Sequence, residues 1–553
     1  MKVNLPKREP HIGASWRAIL VGLLLIPPNT YWIMDSAGQG YPTTVSLYFN
    51  VIFCVFVFAV SNYLLTQISS KFTVKQGELL TVYIMLAIAS SIAGHDMLRV
   101  LIPMIPHAFW HASPENDWVG LFHRFVPSWI AVKDRNFLTN YYRGESDFYQ
   151  WEVIRGWLIP TLAWGSFLCI MLFFMVCVNS LVRKQWTENE KLSYPIIQLP
   201  LELTVGGGAS GILKSRIMWI GFVLAGTIDI LNGLNFLFPS VPSLGGKLYD
   251  LHPFFSHPPL NAVGWTPIAV FPFAVGLAFF IPLDLSFSCW FFYLFWKSER
   301  VIANSLGMKS IPSFPFVDEQ SFGAYIGLFV IAIVGTRQHL GKVIAKSLNK
   351  NSEIDDSSEP LSYRAMIIMM VGCIIYITVF CRASGMSLWV ILMFFVIYYA
   401  ISTAVTRMRA ELGSPVHDLH FIGPDEMMPK MFGTRLLGAQ NLTMLAYLFF
   451  CNRAYRGHPM PHQLEGFKLA ERTSINNRRL LVAMLIAIIA GTFSSFWSYY
   501  HISYIEGARD WFAWRPFNRL QSWLISPRSP NYPAVISMFI GFLITFFLMI
   551  MRM

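Results

Sequence analysis

Residues 157–182 read WLIPTLAWGSFLCIMLFFMVCVNSLV, an unbroken apolar run without a charged side chain, closed by Arg183-Lys184. A helix rises about 1.5 Å per residue, so about 20 such residues cross a hydrocarbon core of about 30 Å. The run does not alternate with period two, which excludes a membrane barrel strand. Nor is it an isolated feature, since only 13% of the 553 residues are charged and 54% are hydrophobic. Soluble domains carry about a quarter charged residues to cover their surface, and disordered chains are polar and poor in aromatics. With a mean hydropathy of +0.48, the expected fold is all-α, a polytopic transmembrane helical bundle.

The same ruler marks further crossings at 16–34, 45–68, 78–105, 217–238, 265–296, 365–381, 388–408, 480–500 and 534–551, ten with the first. Two runs, 322–335 and 436–451, are shorter. Lys2, Lys7, Arg8 and Arg17 place the N-terminus in the cytoplasm by the positive-inside rule. Alternation then brings Lys71/Lys75, Arg183/Lys184, Lys297/Arg300, Arg407/Arg409 and Arg478/Arg479 to that side, with both termini cytoplasmic in a cell (inner) membrane. The basic flanks 337–350 and Arg453–Arg456 join them only if neither short run makes a net crossing. Each is then re-entrant or pairs with an unrecognised half-helix. Short glycine-containing runs late in each half are the pattern of an inverted-repeat transporter, which leaves a two-fold pseudo-repeat open. Pro282 is expected to kink one long helix over 265–296.

An N-terminal membrane half (1–349), a polar cytoplasmic linker (350–360, KNSEIDDSSEP) and a C-terminal half (361–553) follow. Loops 106–155, 239–264 and 501–532 are rich in aromatics, His and Pro and are expected to cap the outer face. The net charge of +11 serves as a topology signal, and nucleic acid is not an expected partner. Cys54, Cys169, Cys177, Cys289, Cys373, Cys381 and Cys451 sit in or beside apolar runs without a CxxC pair, so they read as small buried hydrophobes. The basic N-terminal lead has no small-residue cleavage site, and the first run is read as a retained helix.

Ionisable groups at bilayer depth mark function by default. Asp229 lies mid-span, with Asn232 one turn on and Asn235 after it, a polar stripe expected to face the bundle interior. It is either a substrate or proton site or a carboxylate satisfied by packing. His95, Asp96 and Arg99 break the third span after Gly94; the group is a proton relay with an Asp96–Arg99 pair, or the helix simply emerges there. Asp284, beside Pro282, is a third candidate, for an ion site. His107 and His111 stand four apart, which suits a metal pair, but the spacing reads as coincidence and no metal site is assigned. His417/His420 and His458/His462 are weaker pairs. No HExxH, GxSxG, P-loop or GxGxxG occurs, so no enzyme motif and no cofactor is indicated.

Trp16-Arg17-Ala18-Ile19-Leu20-Val21-Gly22, the stretch Lys71–Leu80 opening the third span through Thr73 and Glu78, and Pro160–Trp164 leading to Trp186-Thr-Glu188-Asn-Glu190-Lys191-Leu-Ser-Tyr-Pro195 together resemble the oligopeptide transporter superfamily of peptide and metal-chelate carriers. The stretch Arg407-Met-Arg409-Ala-Glu411-Leu-Gly413-Ser-Pro415 resembles a group of uncharacterised bacterial membrane proteins. The carriers' Asn-Pro-Gly loop signature is absent. The resemblance implies proton-coupled import of a small peptide or chelate through a two-lobed bundle. Independently of it, Glu188, Glu190, Lys191 and Pro195 form an elbow at the membrane edge, read either as a moving gate or as a static turn. Arg407, Arg409 and Glu411 form a second elbow in which Arg409 and Glu411, two apart, are expected to bond different partners.

The function expected is that of a secondary transporter, proton-coupled, for a small peptide, chelate or similar polar solute. Its partners are the lipid bilayer and that solute, with a homo-oligomer left open. The alternatives are a membrane-embedded enzyme acting on a lipid-linked substrate through outer carboxylates (Asp117, Glu145, Asp147, Glu152), or a structural subunit of a larger complex.

Overall fold

The helix over Gln76–Ala93 is enclosed along its whole length, with every residue from Gly77 to Ala93 buried. A helix apolar on all sides is buried either in protein or in lipid; this one is buried in protein, and the chain is built around it. The computed structural model describes all residues except 1–12, 37–42, 46, 69–72, 95, 209–211, 245–247, 280, 309–310, 349–353, 415–416 and 553. Its helices are α1 (Trp16–Asp35), α2 (Phe49–Ile68), α3 (Gln76–Ala93), α4 (Leu98–Trp110), α5 (Trp118–Leu121), α6 (Arg135–Arg143), α7 (Trp151–Lys184), α8 (Gln198–Thr204), α9 (Arg216–Leu237) and α10 (Pro272–Ala278). They continue as α11 (Leu283–Ser305), α12 (Val317–Ser347), α13 (Tyr363–Ala383), α14 (Leu388–Leu412), α15 (Pro424–Phe432), α16 (Thr434–Tyr447), α17 (Pro459–Thr473), α18 (Asn477–Glu506), α19 (Trp511–Ile525) and α20 (Tyr532–Arg552). Among the described residues the strands are one antiparallel pair, Tyr249–Asp250 with Pro267–Ile268. Among the described residues, ten helical stretches are long and apolar enough to cross a membrane: α1, α2, α3 with α4, α7, α9, α12, α13, α14, α18 and α20. The protein is an all-α, multi-pass membrane protein.

Polar side chains set the register around α3. Glu78 accepts the Lys75 backbone N–H at 3.0 Å, the Ser15 hydroxyl at 2.5 Å and Arg17 at 3.2 Å, so α1 and α3 start together. Deeper, Asn29 of α1 donates to Ser90 of α3 at 2.9 Å, and Asn50 of α2 donates to Asn29 at 2.7 Å. Thr30 meets Ser494 of α18 at 2.7 Å, so α1, α3 and α18 run parallel. Such interhelical hydrogen bonds hold where lipid supplies no hydrophobic drive for helix association. One continuous core contains residues of both chain halves.

We call the end where α1 begins the terminal face and the opposite end the loop face. α7 runs against α18, with Thr161 3.0 Å from Tyr500 near the loop face. His339, late in α12, lies 3.0 Å from the Leu181 carbonyl near the end of α7, so α12 ends at the terminal face. α20 runs parallel to α12 across a glycine contact. A Cβ on Gly323 would overlap the Met538 carbonyl, and one on Gly541 would overlap the Gln320 carbonyl.

Two crossings differ from those hydropathy predicts. The 265–296 run is not one kinked helix: it divides into a short strand, α10 and α11, with Pro282 at the N-cap of α11. Proline disfavours helical backbone before it and has no N–H to offer, so a helix begins there. The 322–335 run is the middle of the 31-residue α12. Its polar ends are satisfied by neighbours, His339 at Leu181 and Glu319 by Lys430 at 2.8 Å, and a hydropathy window sees only the centre. Because α12 crosses in place of 265–296, the parity downstream is unchanged. The 436–451 run, in contrast, is a half-helix: α16 descends from the loop face, and α17 completes the crossing to the terminal face.

The α12–α20 contact yields the first prediction. Gly323→Leu forces two backbones apart and should destabilise the fold by about 1–3 kcal/mol, read as a lower Tm in detergent, whereas Gly335→Leu, which meets nothing within 4 Å, should leave it unchanged.

Candidate functional site

Two helix interruptions face each other at the middle of the bundle. α3 stops at Gly94 and α4 restarts at Leu98, with Asp96 between them. The chain turns through Leu448–Cys451 after α16 and restarts at Pro459. Asp96 reaches across to this second break: Arg453 Nη1 lies 2.6 Å from one carboxylate oxygen and Arg456 Nε 3.7 Å from the other. The Gly457 N–H donates to Asp96 at 3.4 Å, and the Tyr48 hydroxyl donates to the Gly457 carbonyl at 3.1 Å. Arg99 donates to the Ile33 carbonyl at 2.8 Å, and both Asp96 and Arg99 are buried. The helix does not emerge here; the charges lie in the interior. His95 lies outside the described residues.

A third helix begins beside the same point. Gly423, before α15, abuts Asn452, and the Leu419 N–H donates to the Ala454 carbonyl at 2.9 Å. The N-termini of α4, α15 and α17 thus gather around Arg453 and Arg456. Each carries the positive end of a helix dipole, so the centre favours an anionic group. The acidic first turn of α15 is answered from α19: Arg519 bonds Asp425 at 2.6 Å and also Glu426, and Arg515 bonds Glu426 at 3.1 Å.

Towards the terminal face, Arg409 and Glu465 form a buried bidentate pair at 2.5 and 2.9 Å. His458 lies 3.2 Å from the Tyr398 hydroxyl and 3.1 Å from that of Ser402. His417 is buried, and neither ring nitrogen has a hydrogen-bond partner. The two elbows predicted separately pack on each other. Arg407 bonds Glu190 at 2.5 Å and Glu411 at 3.2 Å, the Tyr194 N–H donates to the Ala410 carbonyl at 2.9 Å, and Ser193 donates to the Glu411 carbonyl at 2.7 Å. Gly413, at φ +71°, leaves room for Pro195, which a Cβ there would strike. Glu188 lies 3.4 Å from Arg183, and Lys191 is exposed. Arg409 and Glu411 hold different partners. A cavity of about 490 Å³ opens beside this joint, walled by Gln185, Glu190, Arg407 and Glu411 with Leu328 and Met549. The linker is more than a polar tether, because Glu359 is buried against Arg183 at 2.7 and 3.0 Å.

Other expectations fall away from the centre. α9 buries no residue; Asp229 is exposed, and Asn232 and Asn235 bond the carbonyls of Leu244 and Val241 in the following loop. The stripe therefore finishes its own helix end and does not face the bundle interior, a correction whose reason is local: short amides satisfy nearby backbone first. Asp284 sits exposed in the first turn of α11, where a carboxylate suits the helix dipole, and not at a mid-bundle ion site. Asp117 caps α5 and Asp147 accepts the Tyr149 N–H, so these outer carboxylates serve local turns. At the loop face His107 and His111 both meet Asp510, at 2.6 and 2.7 Å. Burial would raise the Asp510 carboxyl, but hydrogen bonds from the two imidazoles outweigh it and hold it well below the usual range.

The sequence reading did not single out Arg453, Arg456, Glu465 or Arg519 as site residues. The breakers Gly457, Pro459 and Pro461 beside two arginines were the available signal. α17 itself, PMPHQLEGFKLAERT, is too polar for a hydropathy scan although Pro459–Ala470 is buried.

Fold and centre define a polytopic helical membrane protein with opposed helix breaks around a buried charge cluster. The chain belongs to a family of unknown function (DUF6785), which matches residues 8–553. No curated protein matches it.

The Arg409–Glu465 pair should behave as buried pairs do. Glu465→Ala leaves a buried arginine unpaired and should cost about 3–5 kcal/mol, while Arg409→Met/Glu465→Met should recover most of that loss, measured by thermal unfolding in detergent.

Proposed function

We propose that the chain is a proton-coupled secondary transporter for a small polar solute bearing a carboxylate, a description that includes peptides and chelates. The observation that carries this reading is the meeting of two interrupted helices at Asp96, Arg453 and Arg456. Non-helical backbone is tolerated at membrane depth where it lines a site, and helix N-termini there receive anionic substrate groups. A substrate carboxylate would compete with Asp96 for Arg453 and Arg456. Protonation of Asp96 would release the arginines to the solute, and this exchange is the coupling step. The Arg407–Glu190–Glu411 joint, beside its cavity, acts as the gate on the terminal face. Arg183, Lys184, Arg407, Arg478 and Arg479 lie toward that face, which supports a cytoplasmic position for it and for both termini in the cell membrane. The enzyme alternative gains no support from Asp117 and Asp147, which serve local turns.

Uptake of labelled dipeptides and amino acids into proteoliposomes under an imposed pH gradient tests this. Accumulation should collapse with a protonophore and fall by roughly tenfold or more in Asp96→Asn, while Asp229→Asn behaves as wild type. Equal uptake by Asp96→Asn, or no gradient-driven accumulation of any solute in the panel, overturns the reading.

A further inference from the structure

His107 and His111 lie one turn apart on α4, their ring centroids 4.5 Å apart. Asp510, immediately before α19, places a single carboxylate oxygen 2.6 Å from His107 Nδ1 and 2.7 Å from His111 Nε2. The three donor atoms lie within 4.8 Å of one another. The other nitrogen of His107, Nε2, is buried without a hydrogen-bond partner. Around that ring are Trp514, edge-on at 4.7 Å, and Phe517, stacked at 5.6 Å. His107 Nδ1 and His111 Nε2 thus converge on one carboxylate oxygen, a cluster of three donor atoms from two segments that a single cation can hold together.

We propose that His107, His111 and Asp510 bind one divalent transition-metal ion of the zinc class, which fastens α19 to α4 at the loop face. Two imidazoles and one carboxylate are a donor set of open four-coordinate zinc sites, whereas calcium and magnesium take oxygen ligands. At metal–ligand distances of about 2.0–2.2 Å the donors of a tetrahedron stand about 3.3 Å apart, a small spreading from the 2.6 and 2.7 Å that now separate the two imidazole nitrogens from the carboxylate oxygen. The His107 side chain is fully enclosed, while His111 is 25% exposed and offers the entry path and the open position. The ion joins segments about 400 residues apart in sequence. Through Arg519, α19 also holds Asp425 and Glu426 at the start of α15, so a metal at one end of α19 steadies the central cluster at the other.

The full chain, purified in detergent and stripped with EDTA, is titrated with Zn²⁺ and separately with Co²⁺. One ion per chain, a visible band of low-coordinate cobalt and a rise in Tm with Zn²⁺ are expected. Affinity should fall by roughly tenfold or more in His111→Ala and in Asp510→Asn, and stay unchanged in His123→Ala, whose imidazole bonds the Ala108 carbonyl instead. His111→Ala removes the most exposed ligand, and a Tm in EDTA equal to that of wild type separates lost metal from lost fold. Sub-stoichiometric binding by wild type, or binding that survives both ligand variants, overturns the proposal.

Discussion

Breaking a helix at membrane depth leaves backbone N–H and carbonyl groups that no water can satisfy. This fold accepts that cost at two places and brings them together, so that each break answers the other. Asp96 from the α3–α4 break takes Arg453, Arg456 and the Gly457 N–H of the second. Tyr48, from the approach to α2, takes the Gly457 carbonyl. Removing either interruption would leave the other with charges and no counterpart, and the surrounding helices are placed by the need to enclose the pair.

That enclosure explains the distribution of polar residues elsewhere. Arg409–Glu465, Arg183–Glu359 and Arg519 with Asp425 and Glu426 are buried pairs from segments far apart in sequence. Buried pairs add little net stability over apolar packing, but they tolerate no wrong partner. Here they define which helix faces which, in a bundle where apolar surfaces alone would pack in many registers. The glycines of α12 and α20 do the same by shape.

Much of the architecture was legible in the chain. Nine of the ten crossings coincide with apolar runs, because lipid imposes a length and a hydropathy that any scan detects. The failures have physical causes that a hydropathy window leaves out. The 322–335 run was too short only because its polar ends are paired in the bundle, and 265–296 was long enough only because hydropathy does not weigh Pro282. At the candidate site, Asp96 and Arg99 stand out in the sequence as charges inside an apolar run, and both are buried. Arg453 and Arg456 were absorbed into the positive-inside count, since an arginine in a break and an arginine in a loop look alike in one dimension. Asp229 is the opposite case: its helix is apolar all round, but the helix buries no residue and Asp229 is exposed.

The burial of α3 also constrains synthesis. Its neighbours α1 and α2 precede it in the chain, so Asn29, Asn50 and Ser90 can meet as soon as the third span enters the membrane. The faces covered by α17 and α18 wait for residues 459–506. At about 5–20 residues per second, translation of the intervening chain takes tens of seconds. Through that interval the central helix is bordered by lipid on one side, with Asp96 lacking the arginines that will hold it. An insertion intermediate of this kind needs either a protonated Asp96 or shelter from the insertion machinery, and helices made late in synthesis close over one made early.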